Sequence, residues 1–291
     1  QWSRGLGDVY KRQATGNNTF RLVGADGSFV GGVDNVSIKE VIDADFDFTR
    51  GSAATRVTKD GLVKNVQILS NDLVQNGDFK QIGSELITNG DFATDSDWLV
   101  FGNSEISNGK ANLNSETGSF TGTLKQNSVV TNLKNYKISF SISNYQEGEA
   151  IVSIGFNTSI VVNANGEYTF YGVSESGDNT DFLVRNRASN FVGSIDNVSV
   201  KEVGQNWTFG TSWSIGDGVA ISNGSGSYLT DNVSSGFTSG KKYRVSLEIV
   251  EYNSGQVSLP FDGAGGNTNY QNSVGIKTAD ITAENNSPIY I

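Results

Sequence analysis

The side chains able to do chemistry in this chain are few in kind. Asp and Glu together number 31 and Lys and Arg 21, while His and Cys are both 0. Without them there is no Ser-His-Asp triad, no Cys-His pair and no zinc site of the usual nitrogen or sulfur type. The side chain best suited to proton transfer near neutral pH is also missing. A pair of carboxylates can hydrolyse glycosides without His, so that acid–base chemistry alone stays open. No GxxxxGK[ST] loop occurs, and no GxGxxG follows a strand and opens a helix. The expectation is a chain that is not an enzyme.

What remains is recognition. Tyr145 lies in the polar stretch Ser143-Asn144-Tyr145-Gln146-Glu147, which reads as a strand end or loop. It is expected to be an exposed aromatic with Asn144 and Gln146 as polar partners. Tyr171 alternates with Phe170, so one of the two must face outward. Arg185 and Arg187 flank Asn186 on a late strand. Aromatic faces stack on flat rings while amides and cations hydrogen-bond polar groups. Tyr145, Asn144, Gln146, Tyr171 and Arg185 are therefore the candidate ligand contacts. Trp98, beside an opening strand, recurs as Trp213 and reads as core.

The elements that must position these residues are strands. The run Tyr136-Lys137-Ile138-Ser139-Phe140-Ser141-Ile142 alternates strictly, placing Tyr136, Ile138, Phe140 and Ile142 on one face. Ala150-Ile151-Val152-Ser153-Ile154 and the run 166–173 read the same way. Asn108-Gly109, Glu147-Gly148, Asn165-Gly166 and Ser176-Gly177 separate such runs as turn signals. Gly is 35 of 291 residues and Pro only 2, a mixture suited to short strands and tight turns. No sustained helical period with caps is present. One-sided strands must bury their apolar faces against a second sheet, so the fold expected is all-β, a set of tandem antiparallel sandwiches.

An internal repeat divides the chain. Residues 29–41 read FVGGVDNVSIKEV and 191–203 read FVGSIDNVSVKEV, identical at ten of thirteen positions. The alternation slips by one at the Asp-Asn pair, as a bulge would make it. Each copy reads as the last strand of a module. A shorter repeat, LVQNGDF at 73–79 and LITNGDF at 86–92, marks a module start, the first copy looking vestigial or duplicated. The expected division is a non-native tail at 1–13, the C-terminal remnant of a module at 14–41 and a connector with a hairpin at 42–71. A complete module follows at 72–203, and a module truncated at its end at 204–291.

Together LITNGDF, the Trp after it, Ile106–Ala111 (ISNGKA) and SIDNVSVKEV resemble the galactose-binding-like β-jelly-roll of carbohydrate-binding modules. The resemblance covers 72–203 fully and 14–41 and 204–291 in part. It implies a structural calcium held by a carboxylate near the opening motif and an Asp in the closing strand. Asp196 matches the second, with Asp34 in the earlier copy. Phe92 is followed by Ala93, which leaves Asp91 as the nearest opening carboxylate. An Asx-type turn at Asp196-Asn197 is the structural alternative. The connector segment 45–63, with Arg50, Arg56 and Asp60-Gly61, resembles a segment of bacteriophage tail-fibre-like virion proteins. Residues 8–13 (DVYKRQ) resemble sequencing-adapter read-through from environmental assemblies and are set aside.

A net charge of −10 and a pI near 4.5 disfavour nucleic acid as a partner. No run of 18 apolar residues suggests membrane insertion. The expected partner is a cell-surface or extracellular glycan, and the expected location a virion or the extracellular space. Fibre proteins suggest a homotrimer by analogy. A spacer or decoration domain without ligand, and an accessory module of a polysaccharide-degrading enzyme, are the competing readings.

Overall fold

A computed structural model describes residues 20–43, 55–57, 63–65, 67–114, 122–187, 190–224, 228–232, 238–258 and 270–282. The fold is all-β, of antiparallel β-sandwich, jelly-roll type, and every described ladder is antiparallel. The chain divides into two units. The middle unit comprises Phe79–Gln205 and Ser214–Gly218; the split unit comprises Gln1–Asp78, Asn206–Trp213 and Val219–Ile291.

In the middle unit a six-stranded sheet runs Gly166–Val173, Asn135–Glu147, Val192–Val203, Lys110–Asn114, Glu105–Ser107, with Ile82–Glu85 also paired to Val192–Val203. A five-stranded sheet runs Thr158–Val162, Ala150–Ile154, Phe182–Asn186, Gly122–Gln126, Leu99–Val100. The strand Asn135–Glu147 buries Tyr136, Ile138, Phe140 and Ile142 and leaves Lys137, Ser139 and Ser141 half-exposed, as its alternation predicts. From the facing sheet Val152, Ile154, Val184, Phe182 and Leu124 complete one core. Trp98 is part of it: its ring centroid lies 5.0 Å from Phe92 and 5.8 Å from Phe182. Its indole N–H, which burial would otherwise leave unsatisfied, donates to the Asn89 carbonyl at 2.9 Å.

The closing strand Val192–Val203 is flanked on both edges and carries the bulge that the sequence predicts. Its register against Asn135–Glu147 slips between Ser139↔Ser199 and Ser141↔Asp196. At the slip Asn197 takes φ 53°, and Asp196 Oδ1 accepts the Asn197 N–H at 2.6 Å. The slip has a packing consequence. Ile195 and Val198 are three apart, an odd spacing that a regular strand would send to opposite faces, yet both are buried. The Asp-Asn pair rephases the strand so that both halves face the core.

The split unit repeats this arrangement with parts from both ends of the chain. Phe20–Asp43 holds the first copy of the closing sequence and pairs with Lys242–Ser258 and Val219–Asn223. The registers match: Val33↔Ala220 and Gly32↔Ile221 here, Ile195↔Ala111 and Ser194↔Asn112 in the middle unit. The bulge recurs as a slip between Asp34 and Ser37, with Asn35 at φ 50°. Its neighbours recur as well. Asp72 Oδ1 accepts the N–H groups of Ile38 and Val74, as Glu85 Oε1 accepts those of Val200 and Ile87. Val36 N–H donates to Gly77 O at 2.7 Å, and Val198 N–H to Gly90 O at 2.9 Å. Both turn residues are glycine because a Cβ would lie about 2 Å from those strands: 1.9 Å from Val36 O and 2.0 Å from Val198 O.

Three readings of the sequence change here. The opening motif at 73–79, which reads as vestigial, supplies the turn of the split unit. The counterpart of Trp98 is Trp207, whose indole N–H donates to Asn76 O at 3.0 Å, rather than Trp213, which packs beside Phe29 at 6.1 Å. The segments 14–41 and 204–291, which read as parts of separate modules, share one ladder in their described residues, because a closing strand needs partners on both edges. In the connector, Thr55–Val57 pairs with Val63–Asn65 as a hairpin; Arg50, Asp60 and Gly61 lie outside the described residues.

The bulge yields a prediction. Asn197→Gly should change unfolding free energy by less than about 1 kcal/mol, whereas Asn197→Val, β-branched at positive φ, should cost about 1–3 kcal/mol. Urea unfolding of both variants checks the contrast.

Candidate functional site

The outward face of the five-stranded sheet is built by register. The ladder puts Val161, Ile151 and Arg185 in one row. Ser159, Ser153, Leu183, Lys125 and Leu99 form the next row. Five strands at about 4.8 Å spacing make this face roughly 19 Å wide, the span of several sugar rings. It mixes exposed apolar groups with fixed charges. Leu99 is 47% and Val161 40% exposed, while Leu183 between them is 5% exposed.

Arg185 is half-buried on this face. Its Nη2 donates to Ser153 Oγ at 3.4 Å, and its guanidinium carbon lies 5.2 Å from the Phe156 ring centroid. Its Nε is buried and has no hydrogen-bond partner, a costly arrangement for a charged donor. Burial lowers the Arg185 pKa and the negative charge of Asp178 opposes that shift, so the group stays cationic.

Phe156 projects from the turn after Ala150–Ile154 and is 56% exposed. Asp178 pins that turn by accepting the N–H groups of Phe156 at 3.0 Å, Asn157 at 3.3 Å and Asn179 at 2.7 Å. Asn157 Nδ2 also donates to Glu175 Oε2 at 3.1 Å. The arrangement offers an exposed aromatic ring, a half-buried cation and the exposed apolar side chains Leu99 and Val161. Such a surface can hold a polyhydroxylated ring by stacking and hydrogen bonding.

The other expected contacts lie elsewhere in the unit. Tyr145, expected to be exposed, is half-buried; its ring packs 6.0 Å from Phe191 and its hydroxyl donates to Gly148 O at 3.2 Å. The cause is an irregularity of register between Ser143 and Glu147, which turns that aromatic back toward the core. Asn144, at φ 54°, donates through Nδ2 to Ser194 Oγ at 3.1 Å, and Gln146 is exposed beside it. Tyr171 does face away from the core while Phe170 packs against it. The Tyr171 hydroxyl donates to Asp217 Oδ1 at 2.9 Å, and Lys137 Nζ sits 5.6 Å from its ring centroid. These two side chains line an open pocket of about 360 Å³ with Lys80, Ile82 and Val203. Tyr145, Asn144, Gln146 and Tyr171 belong to the six-stranded sheet and Arg185 to the five-stranded one. Phe156 and Asp178 are missing from the candidates read from the sequence. The signal for Phe156 was a large aromatic inside the Gly155-Phe156-Asn157 turn, where strand alternation has no use for one.

The carboxylates proposed for calcium serve the backbone. Asp196 Oδ1 takes the Asn197 N–H, and exposed Asp91 Oδ1 takes the Ala93 N–H at 3.3 Å. Calcium takes six to eight oxygens. Among the described residues no group of three or more Asp and Glu is placed to hold a metal ion.

No protein-family model matches the chain, and no curated protein matches it. A solved structure described as "CBM4 structure and function" aligns with 44% of this chain and 99% of its own length, at 17% identity and a TM-score of 0.28.

The face also carries an ion pair whose titration is predictable. Lys125 Nζ lies 2.6 Å from Asp181 Oδ2. Burial alone would raise the Asp181 pKa; the Lys125 ammonium, the Ser128 N–H and Asn179 outweigh it and hold the carboxyl below its ordinary value of 3.8. A depressed folded-state pKa contributes stability above the unfolded value, lost as pH falls through the folded one. Unfolding free energy should therefore decline as pH drops below about 4. Asp181→Asn should flatten that decline and cost about 1–3 kcal/mol at pH 7. Thermal melts from pH 2 to 7 check it.

Proposed function

We propose that the chain is a non-catalytic glycan-binding module, with the outward face of the five-stranded sheet as its platform and Arg185 and Phe156 at its centre. The observation that carries this reading is the exposed Phe156 ring beside the half-buried Arg185 guanidinium on that face. An aromatic face can stack on a sugar ring while guanidinium N–H groups donate to its hydroxyls. The resemblance of the opening and closing motifs to carbohydrate-binding modules supports the same ligand class, and the absence of His and Cys disfavours most catalysis.

The connector resemblance favours a place in a phage tail or fibre, displayed on a virion or outside cells and assembled as a homotrimer. The recurrence of one closing strand in two sandwich units favours a second reading, a spacer that sets length and holds no ligand. An accessory module of a polysaccharide-degrading enzyme would use the same face.

A glycan array followed by calorimetry separates these readings. A glycan ligand should bind with affinity weakened about tenfold or more, 1.4 kcal/mol, by Arg185→Ala and by Phe156→Ala. Tyr145→Ala should leave affinity unchanged and lower stability instead. Calcium or a chelator should not alter binding. No binding across the array supports the spacer; unchanged affinity in both platform variants moves the site off this face.

A further inference from the structure

We propose that the closing strand of the split unit is exchangeable: the slot between Val219–Asn223 and Lys242–Ser258 accepts residues 29–41 from a second copy of this chain as well as its own. The donor segment, 20–78, and the acceptor, 206–282, are separated in sequence by the whole of Phe79–Gln205. The contacts that hold the strand are the same whichever copy supplies it: the two ladders, the buried Val33, Val36 and Ile38, and the Val36 N–H to Gly77 O bond, which travels with the donor. Exchange therefore alters connectivity rather than contacts, and concentration decides between the two forms.

The slot is also selective. It demands a strand bulged at one position, because only the Asp34-Asn35 slip lets Val33 and Val36 enter the same core. The chain contains two such strands, which differ at three of thirteen positions, and one of the three keys the strand to its slot. Gly32 lies opposite Ile221, and a Cβ there would stand 2.7 Å from Val219 Cγ1 and 3.3 Å from Val250 Cγ2. The equivalent residue of the other copy is Ser194. In its own slot the Ser194 hydroxyl donates to Asn112 Oδ1 at 2.8 Å and accepts from Asn144 Nδ2 at 3.1 Å. In the split unit it would meet Ile221 opposite and the Val219 and Val250 methyls instead. Each strand is keyed to its slot, so exchange is homotypic: 29–41 of one copy into the 206–282 body of another.

Two experiments on the full chain test this. The chain has no cysteine, so Lys39→Cys with Arg244→Cys, at positions opposite in register, gives a disulfide that reports only this contact. Refolded under oxidising conditions, it should form linked monomer when dilute and a rising share of linked dimer when concentrated. Linked monomer alone at every concentration overturns the proposal, as does the absence of any linkage. In the second test, Val33→Asp/Ile38→Asp disables the donor in one chain and Val245→Asp/Leu247→Asp disables the acceptor in another. Mixed, they should form a 1:1 heterodimer by light scattering, and Gly32→Ser in the intact donor should weaken it about tenfold. Two persistent monomers overturn the proposal. Equal affinity with Gly32→Ser removes the keying and with it the homotypic claim.

Discussion

Both units depend on one strand that has no free edge. Val192–Val203 lies between Asn135–Glu147 on one side and Lys110–Asn114 with Ile82–Glu85 on the other, and Phe20–Asp43 lies between the corresponding partners. A strand so placed must satisfy two ladders and one core face together. A slip of one residue would turn its apolar side chains outward. The Asp-Asn bulge solves this locally. Asn tolerates the positive φ, the Asp carboxylate takes the N–H the bulge frees, and the apolar positions on either side return to the core.

The rest of each unit is arranged around that strand. The opening turn lays its glycine carbonyl on the N–H after the bulge, and the indole N–H of Trp98 or Trp207 ties that turn down. A carboxylate, Glu85 or Asp72, caps the same stretch of strand two residues later. In the middle unit the ladder of the five-stranded sheet places Ile151 opposite Arg185 and Ser153 opposite Leu183 on the side away from the core.

Much of this was legible in residue order. Strict alternation in 136–142 settles which side chains face inward, because a strand has period two and only one of its faces is apolar. The broken alternation at Asp196-Asn197 announced the bulge. The choice between Phe170 and Tyr171 was legible as a choice, and the side that packs was decided by the strand's register against Asn135–Glu147. The aromatic at 145 was misjudged because a polar neighbourhood says where a segment tends to lie, while an irregularity in the ladder says where one side chain points.

By itself the sequence determined the local rules: strand period, turn sites, the position of the bulge, and the lack of groups for most catalysis. These depend on residue type and near neighbours, and steric and hydrogen-bonding preferences act at that range. Only the tertiary structure decided which distant pieces complete one another. It put 29–41 into a ladder with 219–257 and brought Phe156, Arg185 and Asp178 to one corner of a sheet. The physical reason is that ladder pairing is nonlocal: backbone hydrogen bonds look alike everywhere, so partners are selected by which faces can be buried together.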